Sequence, residues 1–351
     1  MIANNFRIAI CKNEKIFNHS GSWANPWIEY CQKNGLSYEI IDCYQPDIID
    51  RLKDFDFLLW QIGNYVLPDM MAGRSILSAA KNMGVSVFPD YNTSWHFDDK
   101  IAETYLLQAS NAPIPNSWMF YLLEDCLSWL EKEANYPLIA KLRCGSGSNN
   151  VKLLKTKYEA IDYAKHMFKN GYKTHPSILF KSKSLFLSST SWDVMKSRIK
   201  RIPEFLHTLS RAKMFPREKG YVFFQEYIPN DGYDLKIVVI GDKLSFIGRN
   251  IRKGDFRASG GGDLFFDKSL ITENIISSAF STSDKLGFQC MGYDYVVDKS
   301  NGNGKIVEIS YGFSHTALLQ ANGYFDRSGV WYNEPLNAPD QIIENIIKSV
   351  K

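Results

Sequence analysis

Two lysines, a glycine and serine loop, three arginines and a pair of acids carry the chemistry legible in this chain of 351 residues. Residues 136–154, YPLIAKLRCGSGSNNVKLL, predict a short buried strand ending at Lys141, a loop, and a second strand opening at Val151. Gly145 and Gly147 let the backbone approach an anion and turn its N–H groups towards it, while Ser146, Ser148 and Asn149 add short donors and Lys141 a point charge. The loop suits a phosphate cradle, and taken alone it suits equally a hairpin with one solvated lysine. The rest of the set decides. Lys100 precedes the loop, and Gln225, Glu226, Tyr227 and Ile228 close a later strand. Arg249, Arg252 and Arg257 follow on a hairpin and its return loop, then a triple glycine from Gly260 to Gly262, then Asp294 and Glu308 on neighbouring strands. Cations and glycines suit a polyphosphate, and two strand-borne carboxylates suit Mg²⁺, which takes few carboxylates and shares phosphate oxygens. Together they call for ATP with one or two Mg²⁺ ions.

The elements that must position these residues fall into three stretches. Residues 1–95 alternate short apolar strands (6–11, 37–42, 55–61, 85–90) with helices at 23–34, 48–53 and 76–83, the pattern of a small Rossmann-like parallel α/β sheet. No G-x-G-x-x-G follows the first strand, which disfavours a dinucleotide there. Residues 96–220 hold a helix at 100–109, for which Asn92 or Thr93 is a candidate cap, an amphipathic helix at 122–133, the glycine loop and a helix at 162–170. They end in an insert, 172–220, with eleven Lys or Arg against three Asp or Glu, although the whole chain is only +3. That insert reads as a solvated face or as a docking surface for an anionic substrate. Residues 221–351 bring a strand at 221–228, a hairpin in LKIVVIGDKLSFIGR turning at Gly-Asp, a helix at 271–286, strands at 291–298 and 305–309, and a last helix at 339–348.

Hydrophobic content of 45% and charged content of 23% are those of an ordinary globular protein. The start of the chain shows neither a signal-type apolar region nor a membrane-length run, so a cytoplasmic location is expected. Six scattered cysteines, without a C-x-x-C pair, predict free thiols, of which only Cys144 beside the loop is placed to act as a nucleophile.

In order, PLIAK with GSGSNNV, QEYIP, GYDLK with VVIGDK, GRN, GDFRASGGG, GYDYVVD and IVEIS resemble the ATP-grasp superfamily over roughly residues 99–309. The likeness is to the carboxylate–amine ligases, such as D-alanine–D-alanine ligase or glutathione synthetase. It implies an α/β fold, α+β in its ATP-binding part, preceded by the Rossmann-like domain. By the resemblance, Lys100 and Lys141 contact the ATP phosphates, the loop from Gly145 to Asn149 closes over them, and the backbone of Glu226 to Ile228 pairs with adenine. Asp234 reaches the ribose or a neighbouring cation. Arg257 stabilises the transferring phosphoryl group, Arg249 is next in line to grip the acceptor carboxylate, and Asp294 and Glu308 hold Mg²⁺. One departure stands out: Ser310 occupies the place where the family commonly has an asparagine ligand.

The implied activity is ATP- and Mg²⁺-dependent joining of a carboxylate to an amine through an acylphosphate. The substrates expected are small anionic metabolites, sugar acids, or a nucleotide sugar or polysaccharide precursor. A homodimer is compatible with this; a nucleic acid or a membrane is not an expected partner. Two alternatives stand beside it: an ATP-binding regulator without turnover, motivated by Ser310, and a polyanion-binding protein using the basic insert.

Overall fold

The computed structural model describes residues 6–12, 22–64, 66–145, 150–174, 216–251 and 263–350. The chain opens with β1 (Arg7–Cys11), α1 (Ala24–Lys33), β2 (Ser37–Ile41), α2 (Ile48–Leu52), β3 (Phe57–Leu59), α3 (Arg74–Asn82) and β4 (Ser86–Phe88). The four strands form one parallel sheet in the order β2-β1-β3-β4. The apolar runs of β1, β3 and β4 are buried because helices cover the sheet, as parallel strands require, while the edge strand β2 is largely exposed.

After a single turn, α4 (Tyr91–Ser94), come α5 (Lys100–Ala109), β5 (Ser117–Phe120), α6 (Leu123–Lys132), β6 (Leu138–Lys141), β7 (Val151–Leu154) and α7 (Lys157–Lys169). The expected cap at Asn92 or Thr93 is not found. Asp90 instead accepts the Thr93 N–H at 2.9 Å to cap α4, and Asp99 accepts the Ala102 N–H at 3.0 Å to cap α5. The helix predicted from residue 162 begins at Lys157, because Thr156 caps it and Glu159 reaches back to the Lys155 N–H at 2.7 Å. That is a capping-box signature, T-x-x-E, legible in the sequence.

Next, β8 (Tyr172–Lys173) pairs with β9 (Arg217–Glu218), closing the base of the basic insert, whose helical pattern at 192–212 lies outside the described residues. With β10 (Val222–Glu226) the second sheet is complete, antiparallel in the order β5-β10-β6-β7. The third comprises β11 (Tyr233–Ile240), β12 (Lys243–Asn250), β13 (Leu264–Phe265), β14 (Cys290–Val297), β15 (Gly304–Ser310), β16 (Tyr324–Phe325) and β17 (Trp331–Tyr332). Its order is β15-β14-β11-β12-β16-β17, with β13 also on β12. Three helices complete the chain: α8 (Glu273–Leu286), the short α9 (His315–Leu318) and α10 (Ala338–Val350). The hairpin expected around Gly-Asp is β11-β12, with Gly241 at φ +60.

The first and third sheets share one core. Trp23 packs on Phe88 and Phe313, and the Tyr311 hydroxyl accepts the Ile62 N–H at 3.1 Å. The second sheet has its own core around Trp129, Phe224 and Tyr163. α5 straddles both, with Leu107 in the first and Ile101 in the second. Its N-terminus therefore stands where the second and third sheets meet. Among the described residues no helix is long and apolar enough to cross a membrane.

Candidate active site

The turn from Asp98 to Lys100 clasps the stem of the glycine loop. Asp98 stands in the left-handed region at φ 57 and accepts the Gly145 N–H at 2.9 Å. The Lys100 N–H donates to the Arg143 carbonyl at 2.9 Å, and its ammonium donates to the Gly145 carbonyl at 2.6 Å. Gly145 itself lies at φ +110, and a Cβ there would fall 2.1 Å from Asn150 Nδ2, which donates to the Cys144 carbonyl at 2.8 Å. Only glycine fits that bend. Burial pushes the Cys144 thiol up to about 12, which suits a packed thiol rather than a nucleophile.

Arg143 ties this stem to the base of the insert. Its guanidinium donates to Asp99 Oδ2 at 3.0 Å and to both oxygens of buried Glu218 at 3.0 and 3.3 Å, while Tyr221 donates to Glu218 at 2.8 Å. Arg143→Ala would leave Glu218 buried beside one neutral donor. We expect a loss of about 2 kcal/mol in urea unfolding, less than for a fully enclosed pair because the Arg143 side chain is 39% exposed.

Lys100 and Lys141 meet over the free edge of β15. The Lys141 ammonium donates to the Val307 carbonyl at 2.7 Å, and Glu103 on α5 accepts the Ile309 N–H at 3.4 Å. Both thereby cap backbone groups that an edge strand would leave unpaired. The two lysines differ in charge balance. Burial pulls Lys100 down, but Glu308 at 3.1 Å and the nearby Glu103 and Asp98 outweigh it, so its pKa is raised. Among the described residues Lys141 has no carboxylate in contact, and burial brings it down from 10.5 to about 8. Glu103 is pushed well above the usual carboxylate range, first by burial and then by Glu308.

On the sheet beyond, β11, β12 and β14 align four charges. Arg249 grips Asp234 with Nε at 2.6 Å and Nη2 at 2.7 Å, and the same Nη2 lies 3.1 Å from Asp294 Oδ2. Lys236 Nζ lies 2.5 Å from Asp294 Oδ1. Burial opposes the charge on Asp294, yet Arg249 and Lys236 hold its pKa down to about 2. Asp294 and Glu308 are direct cross-strand partners in β14 and β15 and so share a face. Ser310, two residues after Glu308 and paired with Gly292, shares that face, but its hydroxyl is engaged locally: it donates to the Gly312 carbonyl and accepts the Gly312 N–H, each at 3.1 Å.

Of the residues singled out in the sequence, Lys100, Lys141, Gly145 and Glu308 come together, with Asp234, Arg249 and Asp294 in a second group linked to Glu308 across β14-β15. Gln225 is buried and donates to Ser117 Oγ at 3.1 Å. The Glu226 carboxylate accepts from Asn116 N and Nδ2 at 3.2 and 2.9 Å and the Glu226 N–H donates to the Asn116 carbonyl at 2.8 Å, while the Ile228 carbonyl accepts from Asn230 Nδ2 at 3.1 Å; Tyr227 lies between them. Ser146, Gly147, Ser148, Asn149, Arg252, Arg257 and Gly260 to Gly262 lie outside the described residues. Sequence reasoning missed Asp98, Glu103, Arg143 and Lys236. The signal for Lys236 was present: two residues after Asp234 on a strand, it must share that face.

As a metal site the described residues give Glu308 and Asp294 on one face, and no group of three or more His, Cys, Asp or Glu side chains suited to an ion. That set fits a hard cation that draws its remaining ligands from phosphate oxygens and water, with Glu308 as its principal protein ligand.

No protein-family model and no curated protein sequence matches this chain. Solved structures do. D-alanine–D-alanine ligase from Bacillus anthracis complexed with ATP superposes with a TM-score of 0.58 at 15% identity, over 99% of this chain and 98% of that one. The D-cycloserine synthetase DcsG gives 0.57 at 11% identity, over 98% and 100%. The ligase PsnB complexed with minimal precursor gives 0.56 at 12%, over 98% and 99%. At such identities the likeness is one of fold.

Proposed function

We propose, from the ATP-grasp fold of this chain, that it is an ATP- and Mg²⁺-dependent ligase joining a carboxylate to an amine. The observation that supports this most is the convergence of Lys100, Lys141 and the stem of the glycine loop on Glu308, at the meeting of two sheets. Cations on one wall and a carboxylate on the other are what a metal-bound polyphosphate needs.

In this reading a carboxylate oxygen attacks the γ-phosphorus, the bond to the β-phosphate oxygen breaks, and ADP leaves. An amine then adds to the acyl carbon of the acylphosphate, inorganic phosphate departs, and the nitrogen loses a proton to give the amide. Lys100 and Lys141 bind the phosphate oxygens and orient them, giving up their present carbonyl contacts to do so. Glu308 would hold Mg²⁺, which would supply charge neutralisation at those oxygens. Asp98 and Arg143 hold the loop stem in register, so that the loop can cover the reacting groups and exclude water. The acceptor is a small anionic metabolite, sugar acid or polysaccharide precursor, a class supported by the excess of Lys and Arg in the insert.

ADP release measured over a panel of carboxylates paired with amines tests the proposal. ADP formed only when both are present, with an amide product by mass, is the expected result. ATP binding without turnover on any pair would support the regulator instead.

A further inference from the structure

The four charges on β11, β12 and β14 have a consequence for the number of metal ions. Both Asp294 oxygens already face a cation, Lys236 at 2.5 Å and Arg249 at 3.1 Å. Their side chains are largely buried, at 9%, 12% and 13% exposure, and with Asp234 at 7% the quartet is electrically neutral. A divalent ion on Asp294 would sit against two fixed positive charges in a poorly solvated place. The geometry that admits Lys236 is specific. Gly292 shares the face of Asp294, and a Cβ there would fall 2.9 Å from the Ser310 carbonyl and stand in contact with Lys236 Nζ at 3.7 Å, so the bare backbone at this position leaves the ammonium its place beside Asp294. Ser310, the other oxygen within reach of the strand's end, is closed onto Gly312 in both directions. Glu308 is left. Its side chain is 22% exposed, its cation partner Lys100 has Gly145, Glu103 and Asp98 as further company, and it is the one carboxylate of the strand pair free to change partner.

We infer that Lys236 supplies at Asp294 the positive charge a second divalent ion would bring, so that the loaded site takes one Mg²⁺ per nucleotide, on Glu308. This rests on the ATP reading above. Lys236 is thus a positioning residue: it fixes Asp294 against Arg249 and bars an ion from it. A lysine is a compact ammonium on a flexible stem and can hold this place without dictating coordination geometry.

The test is a Mn²⁺ titration of the full chain in the presence of a non-hydrolysable ATP analogue, with protein in excess over nucleotide. Free Mn²⁺ is followed by its electron paramagnetic resonance signal, and bound analogue is quantified in the same samples. One Mn²⁺ per bound analogue in the wild type, rising to two in Lys236→Met, is the expected result. Two ions in the wild type overturn the inference irrespective of whether the variant folds. One ion in a folded Lys236→Met, confirmed by circular dichroism, also overturns it, because Lys236 would not then be what bars the second. Failure of the analogue to bind the wild type removes the ATP reading itself, and is distinguishable because Mn²⁺ and analogue are counted separately.

Discussion

Lys141→Ala is expected to lower ATP-dependent ADP release by about 10²–10³-fold, the usual effect of losing one fixed donor to a transferring group. The structural cost is smaller. Lys141 is buried with its ammonium on the Val307 carbonyl and 5.9 Å from the Phe223 ring, and the truncation leaves that carbonyl at a strand edge where water can replace the donor. The charge of Lys141 gives a second readout. With burial lowering it to about 8, the folded protein has shed a proton that the unfolded chain keeps up to about 10.5. Between those values the unfolded state binds more protons, so the stability of the nucleotide-free protein rises with pH across that window. In the proposed role Lys141 binds phosphate as the ammonium, so affinity moves the other way. An ATP analogue should bind about tenfold more weakly at pH 9 than at pH 7, because above the pKa binding must take up one proton and affinity then falls about tenfold per pH unit. Lys141→Arg should flatten that dependence. Calorimetric titration at the two pH values, wild type against Lys141→Arg, checks it; equal slopes would remove Lys141 from the phosphate site.

The path from sequence to site was uneven for physical reasons. Alternating apolar runs and a Gly-Asp turn give β11 and β12 directly, since period-two burial and a positive-φ glycine are local properties. The start of α5 at Lys100 was legible too, but its cap was sought at Asn92 or Thr93. Asp99 stands directly before the first helical residue, where a cap must sit, and Arg143 from 44 residues away fixes it in place. Glu103 shows the limit most clearly. On a helix of mixed polarity it reads as a solvated acid, and only the docking of α5 along β15 buries it beside Glu308. Asp294 and Glu308 were found by type and strand position. That Asp294 is already held by Lys236 and Arg249 is a matter of strand order, β14-β11-β12, which no spacing along the chain encodes. Local rules reach as far as elements and caps, and partners across sheets depend on topology.

Glu308→Gln is the substitution that separates a metal-binding role from a structural one. The amide keeps the shape of the side chain and an oxygen towards Lys100, but not the charge. In the resting protein this removes one ion pair, 3.1 Å from Lys100 Nζ, while the Gly145 carbonyl still accepts from that ammonium at 2.6 Å and Asp98 and Glu103 remain near it. A stability loss of about 1–2 kcal/mol follows, below the figure for a buried charge stripped of every partner. Catalysis should suffer far more. If Glu308 is the principal protein ligand for Mg²⁺, ADP release falls by about 10³-fold or beyond, and ATP-analogue affinity stops responding to Mg²⁺ between its absence and millimolar excess. A role confined to holding Lys100 would instead leave the Mg²⁺ response intact and scale the affinity at all Mg²⁺ concentrations alike. Thermal melting, ADP release and a Mg²⁺ series of analogue titrations on one preparation decide between the two. Retained turnover would end the assignment of Glu308 to the ion, and with it the reason that Lys100, Lys141 and the glycine-loop stem converge on this carboxylate.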